Sequence, residues 1–311
     1  MSWSLYKLTR TRTRTRTRSR VQLVFQYLTY LTFGAIVACL SKLPYAQRVA
    51  LGGVWFQYIV SPISGSKARI SENIEHVLPN LGLKDKQKVF GGVPNNIGRT
   101  FTELFFPDDF LQIIETCEIT GEGYNAFKDA QLTGQPVILV AGHFGNYDSI
   151  RGRLVLEGHN IGSLYKPLSN PFLNRIYVSR ISKIGFPLFP NDKDGMRQMI
   201  NSLQRGETIA LMADQAMSSG TKLPFMGRIC NTPISAAKLA TKYGALLIPC
   251  LSNRNKDGIT HTSVMKTPIK HTDPVEMTKQ LNFVFEQHLQ ENIDQWLWTH
   301  RRWKGYYQSD S

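Results

Sequence analysis

The sequence predicts an α/β fold: a central, mostly parallel sheet with helices on both faces, preceded by an N-terminal hydrophobic membrane-anchor helix. Three observations lead there. From Val137 onward, short apolar runs rich in β-branched residues alternate with stretches of helical length. Val21 to Leu40 (VQLVFQYLTYLTFGAIVACL) carries no charged residue, and about 20 apolar residues span a bilayer core. No linker or internal repeat divides residues 42–311, which read as one domain.

Residues 1–20 come first. They hold Lys7 and Arg10, Arg12, Arg14, Arg16, Arg18 and Arg20 and no acid, in a run of Thr-Arg dipeptides without an apolar face. The reading is a disordered basic tail that marks a cytoplasmic flank or touches anionic lipid. Residues 21–41 read as an anchor retained in the protein. The basic flank also resembles a signal peptide, but Ala38-Cys39-Leu40-Ser41 is a poor cleavage site. A strict positive-inside reading puts the body outside; the body is itself basic, so orientation stays open.

Between residues 48 and 62 lies a second apolar patch, Val54-Trp55-Phe56 with Tyr58-Ile59-Val60. It suits a membrane interface or a core helix. Residues 66–135 read as mainly helical, with Asn95 to Phe106 placing Ile97, Phe101, Leu104 and Phe105 at helical spacing. Candidate strands follow at 137–141, 161–165, 207–212, 246–251 and 262–266. Candidate helices lie at 146–157, 171–184, 192–204, 233–243 and 274–292, the third with Asn191 as N-cap and Asp194 three residues on.

Composition narrows the function classes. The chain has 311 residues, 42% of them hydrophobic, enough for a sizeable core. Net charge is +14, of which the tail supplies half, so the body is basic in its own right. That suits anionic lipid, a phosphorylated substrate, an acidic carrier protein or nucleic acid. Cys39, Cys117, Cys230 and Cys250 form no CxxC or Cys/His spacing, which argues against a zinc site and a disulfide framework. No metal is expected.

The chemistry centres on PVILVAGHFGNYDSI, residues 136–150. An apolar strand ends in a glycine-flanked turn holding His143, and Asp148 opens the next helix. From there the carboxylate can reach back to one imidazole nitrogen and leave the other facing the cleft above the sheet. That suits a general base acting on a hydroxyl; a satisfied structural histidine fits equally. Backbone amides around Gly145 and Asn146 can bind an oxyanion or a phosphate. No GxSxG nucleophile motif is present, which favours direct transfer through a ternary complex over an acyl-enzyme.

Other groups surround this centre. Lys166 projects from the loop YKPLSNP, and Arg175 and Arg180 lie on the following helix, to hold a phosphate or oxyanion or to be a solvated face. Asp214 ends the strand TIALMAD, to pair with Arg180, position a substrate or cap a turn. Lys222-Leu223-Pro224-Phe225-Met226-Gly227 reads as a stiff loop, bordering an acyl channel or simply packed. The closing block places Trp296, Trp298 and Trp303 among Arg301 and Arg302, which suits a lipid interface, a phosphate-bearing substrate, nucleic-acid stacking or a structural lid.

Taken together, HFGNYD at 143–148, YKPLSNPFLN at 165–174, MADQ at 212–215, LPFMG at 223–227 and WLWTHRRWK at 296–304 resemble the late acyltransferases of lipid A biosynthesis, the lauroyl/myristoyl transferase family, within the wider glycerolipid acyltransferase group. The resemblance covers most of residues 20–304. It implies an enzyme of the bacterial inner membrane, with its active site on the cytoplasmic-leaflet side. The donor would be acyl carrier protein or acyl-CoA, the acceptor a hydroxyl on a phosphorylated glucosamine lipid, with no cofactor. It implies His143 as general base, Asp148 as its orienting acid, Arg180 as the family's essential arginine, and Asp214 as the acid of the D-Q segment. Many lipid A enzymes of this kind have Glu at the Asp148 position, which bears on the acceptor more than on the reaction. The rivals are a lysophospholipid acyltransferase, a thioesterase, and a non-enzymatic membrane or nucleic-acid binder; nucleic acid is not expected as a partner.

Overall fold

The computed structural model describes residues 20–307. Most of the basic Thr-Arg tail therefore lies outside the described residues. Helix α1 (Arg20–Leu40) is long and apolar enough to cross a membrane, and none of its residues is buried. Helix α2 (Tyr45–Trp55) runs through a π-helical turn, Phe56–Val60, into the short α3 (Ser61–Ile63). Then come α4 (Ser66–Val77), α5 (Leu83–Phe105) and α6 (Pro107–Glu115).

The α/β part follows in order: β1 (Ile119–Thr120), α7 (Glu122–Thr133), β2 (Val137–Ala141), α8 (Asp148–Leu156), β3 (Ile161–Tyr165), α9 (Pro171–Ile184), β4 (Leu188–Pro190), α10 (Lys193–Gln204), β5 (Thr208–Met212), β6 (Thr221–Phe225), β7 (Arg228–Thr232), α11 (Ser235–Tyr243), β8 (Leu246–Arg254), β9 (His261–Met265) and α12 (Pro274–Glu291). Among the described residues, seven strands form one sheet in the order β1-β9-β8-β2-β5-β3-β4. All neighbours are parallel except β8 and β9. The mostly parallel sheet expected from the alternation is present.

Strand β2 is central and apolar throughout because both faces of the sheet are covered. Ile138 and Val140 pack into a core with Val89 and Val93 of α5, Ala237 of α11 and Phe285 of α12. Val137 and Leu139 point the other way, toward Phe127 of α7 and Ile150 and Leu154 of α8. This placement leaves the residues after β2 and β5 side by side at the carboxyl edge of the sheet.

Several elements differ from the sequence reading. Helix α5 begins twelve residues earlier than Asn95, at Leu83, passing through Gly91, Gly92 and Pro94. It survives these breakers because it is packed on two sides: α2 crosses it so closely that a Cβ on Gly98 would sit 2.3 Å from the Gly52 carbonyl oxygen. The cap of α10 is Asp192, whose side chain accepts from the Gly195 amide at 2.9 Å, and not Asn191. The segment read as a stiff loop is the hairpin β6–β7, turning at Met226 and Gly227 with positive φ. Such a turn matches the twist of paired strands.

The patch on α2 and the π-helical turn faces outward. Leu51, Val54, Trp55, Tyr58 and Ile59 are exposed, whereas Phe56 turns in toward Phe101. Burial thus does not support the core-helix reading of this patch. Helix α1 rests beside it on the body through Phe33 against Phe105 (4.7 Å between ring centroids) and Tyr27 against Phe172 (5.3 Å).

Candidate active site

His143 sits in the turn after β2. The turn requires glycine at 145, where φ is +50° and a Cβ would lie 2.7 Å from the Ser252 carbonyl oxygen. The Gly145 carbonyl accepts from Asn96 Nδ2 (3.0 Å) and Thr100 Oγ1 (2.9 Å), which ties the turn to α5. Asn146 Nδ2 donates to Glu103 Oε2 at 2.8 Å, and its Oδ1 accepts from the Asp148 amide at 3.0 Å.

The carboxylate on the imidazole is Asp214. Nδ1 of His143 lies 2.7 Å from Asp214 Oδ1, and the His143 amide donates to Asp214 Oδ2 at 2.8 Å. Trp296 Nε1 donates to the same Oδ2 at 2.9 Å. Burial by itself would raise the Asp214 carboxyl, but the charge and hydrogen bonds of His143 outweigh it and draw the pKa down to about 2. An ionised carboxylate can only accept, so Nδ1 carries the proton, and the ring's neutral tautomer is the one with its lone pair on Nε2.

Asp148 is placed elsewhere. Its Oδ1 accepts from Arg151 Nε at 2.8 Å, and Arg151 in turn donates to the Gly185 carbonyl at 3.1 Å. The expected Asp148–His143 hydrogen bond is not made; the first turn of α8 aims the carboxylate at its own helix. Asp214 pairs with His143 and not with Arg180.

A cavity of about 210 Å³ opens beside His143. Val93, Ile97, Phe101 and Leu104 of α5 form its apolar wall, with Tyr147 and Leu297 opposite. Burial, followed by the charge of Asp148, pushes the Tyr147 phenol upward, so it stays neutral.

The remaining expected site residues divide. Gly145 and Asn146 are at the turn, but the Gly145 amide already donates to the Gln295 carbonyl at 3.2 Å and so is not free for an oxyanion. Lys166 is exposed on its loop. Arg175 and Arg180 line a separate groove with Tyr27 and Tyr30 of α1. Trp296, Trp298, Trp303 and Arg302 are buried and offer no lipid-contact surface. Arg302 donates to Thr232 Oγ1 (2.7 Å) and the Asn231 carbonyl (3.1 Å), and the three indoles pack together against Phe225. Arg301 is exposed in part and pairs with Glu72. The closing block is a structural plug beneath Asp214.

A second polar cluster had no local signature. Glu103 is buried and takes both guanidinium arms of Arg254. Burial would raise Glu103, but Arg254's charge and hydrogen bonds hold it low. Gln295 closes the cluster on Arg254 through its amide and carbonyl at 2.7 and 2.9 Å. A lone Glu on a helix and a lone Arg at a strand end, 151 positions apart, give a sequence reader nothing to join.

Comparison with known proteins points one way. The family model for bacterial lipid A biosynthesis acyltransferases matches residues 15–305. A lipid A biosynthesis acyltransferase of Haemophilus influenzae is 28% identical over 86% of this chain and 86% of its own length. The lipid A biosynthesis lauroyltransferase of Escherichia coli is 24% identical over 89% of this chain and 92% of its own. The palmitoleoyltransferase of the same organism is 22% identical over 75% of this chain and 77% of its own.

Proposed function

Because the chain belongs to the bacterial lipid A biosynthesis acyltransferase family, and is therefore an acyltransferase with a lipid acceptor, we propose that it moves a fatty acyl group from acyl carrier protein or acyl-CoA to a hydroxyl of a lipid A precursor. The observation that carries the mechanism is the 2.7 Å contact of His143 Nδ1 with the buried Asp214. It leaves Nε2 as a base at the mouth of an apolar cavity.

In this reading Nε2 takes the proton of the acceptor hydroxyl as its oxygen attacks the thioester carbonyl. The tetrahedral intermediate collapses with loss of the thiolate, which recovers that proton from the imidazolium. An ester and a free thiol result, and the enzyme is unchanged. Asp214 stays ionised throughout, fixing the tautomer and stabilising the imidazolium. The acyl chain lies along α5 in the cavity walled by Val93, Ile97, Phe101 and Leu104.

The exposed stripe Leu51, Val54, Trp55, Tyr58 and Ile59 beside α1 supports a second contact with the bilayer; in this reading the bilayer is the bacterial inner membrane, met from its cytoplasmic leaflet. The basic body suits an acidic carrier and an anionic lipid surface.

The test is acyl transfer in detergent from acyl carrier protein loaded with mixed chain lengths, with a lipid A precursor and a lysophospholipid offered in parallel. Acylation of the lipid A precursor, lost by orders of magnitude in His143→Ala, is expected. Acylation of the lysophospholipid alone moves the acceptor to the glycerolipid branch. Free fatty acid released regardless of acceptor makes the protein a thioesterase.

A further inference from the structure

On the other side of α5 lies a larger cavity, about 630 Å³, that the transfer mechanism does not use. Lys88 and Arg99 of α5, Asn253 and Lys256 at and beyond the end of β8, and Asp294 line it. Asn96 and Gln295 line both cavities, so they form a common wall.

Four cations, Lys88, Arg99, Arg254 and Lys256, line the cavity against two carboxylates, Glu291 and Asp294. Lys88 is paired with Asp294 at 3.1 Å, and Arg254 is matched by Glu103. Arg99 donates to Asn95 Oδ1 (2.7 Å) and to the Gly258 carbonyl (3.1 Å), but among the described residues no carboxylate pairs with it. Burial, then the neighbouring Arg254 charge, pull the Arg99 pKa down, with Glu103 and Asp257 opposing them from a distance. Lys256 adds a further exposed cation. An unmatched guanidinium suits a phosphate.

We propose that this cavity holds the phosphorylated sugar headgroup of the acceptor, with a phosphate on Arg99. This rests on the acyl-transfer reading above. The cavity adjoins the outward-facing apolar stripe, since Asn95 Nδ2 donates to Gln57 Oε1 of the π-helical turn at 3.0 Å. A lipid lying in a bilayer against that stripe would thus present its headgroup here and its free hydroxyl to His143 across the Asn96–Gln295 wall.

The experiment is steady-state kinetics of the full chain in detergent, with a lipid A precursor carrying its phosphates and with the same lipid dephosphorylated. Arg99→Gln is expected to raise KM for the phosphorylated acceptor about tenfold or more. The KM for the acyl donor and for the dephosphorylated acceptor should not change. Lys256→Glu, at an exposed position, should act in the same direction and guards against misfolding of the Arg99 variant. A rise in donor KM instead would assign the cavity to the phosphate of the donor's pantetheine arm and overturn the proposal. So would an equal loss on both acceptors, or a wild type indifferent to the phosphates. A wild type that acylates neither lipid overturns the acyl-transfer reading itself.

Discussion

Asp214 grips His143 twice, through the ring nitrogen at 2.7 Å and the backbone amide at 2.8 Å. One carboxylate therefore sets both the turn and the tautomer. Asp214→Asn should keep the fold and lower kcat by about 10²- to 10⁴-fold with little change in KM, because an amide does not impose the same tautomer. Single-turnover acylation measures this; a kcat within a few-fold of wild type would remove Asp214 from the mechanism.

Asp148 serves Arg151, a buried guanidinium. Removing its counter-ion strands that charge, which costs about 3 kcal/mol or more when a buried pair is broken. Asp148→Asn should lower the thermal midpoint together with activity, and Arg151→Gln in the same chain should restore part of the loss. If Asp148→Asn abolished turnover at an unchanged melting temperature, Asp148 would act on the reaction itself.

The Glu103–Arg254 pair is buried and also holds Asn146 in the His143 turn. Glu103→Ala should destabilise the protein by about 3–5 kcal/mol and loosen the turn. Chemical denaturation reads the first effect. A variant as stable as wild type would show that the pair contributes nothing net.

Acid sensitivity should have a histidine component. Burial, with a contribution from Lys266, pulls His288 down to about 4; its unfolded value is near the ordinary ~6.5. The unfolded chain then binds more protons between these limits. Stability is fully present above about pH 6.5 and is lost as pH falls through about 4. Among the described residues His288 Nε2 has no hydrogen-bond partner, and His288→Leu should flatten the fall over that window. Equal slopes for the variant and wild type in denaturant titrations would exclude this contribution.

Deleting residues 1–20, the basic tail, should leave acyl transfer in detergent intact. Total loss of turnover in a folded truncation would favour the binding-protein alternative.

Much of the sheet was legible because buried parallel strands are short and apolar on both faces. Runs 137–141 and 161–165 match β2 and β3 residue for residue. Strand β4 is three residues long and β1 two, below any periodic signal. Pro224 disguised β6, which pairs outside the main sheet, where a missing amide is tolerated. In the site, His143 was visible from its glycine-flanked turn at a strand end. Its partner was not: local spacing favours Asp148, whereas Asp214 arrives from 71 residues away when β5 pairs beside β2. The Trp-rich block misled because composition cannot separate a wet interface from a dry plug. The indole of Trp296 on Asp214 shows which it is.

Helix α5 presents Val93, Ile97, Phe101 and Leu104 to one cavity and Lys88, Asn95 and Arg99 to the other. The angular phase of a single helix therefore acts as a jig, fixing how the apolar cavity and the polar cavity stand to one another. Point substitutions can reshape either wall but cannot move one against the other. Inserting one residue before Lys88 would turn both walls by about 100° and scramble apolar pocket and polar pocket together. With the acceptor headgroup in the polar cavity as proposed, regiochemistry would follow the rotation of α5 and respond to insertion or deletion in that helix.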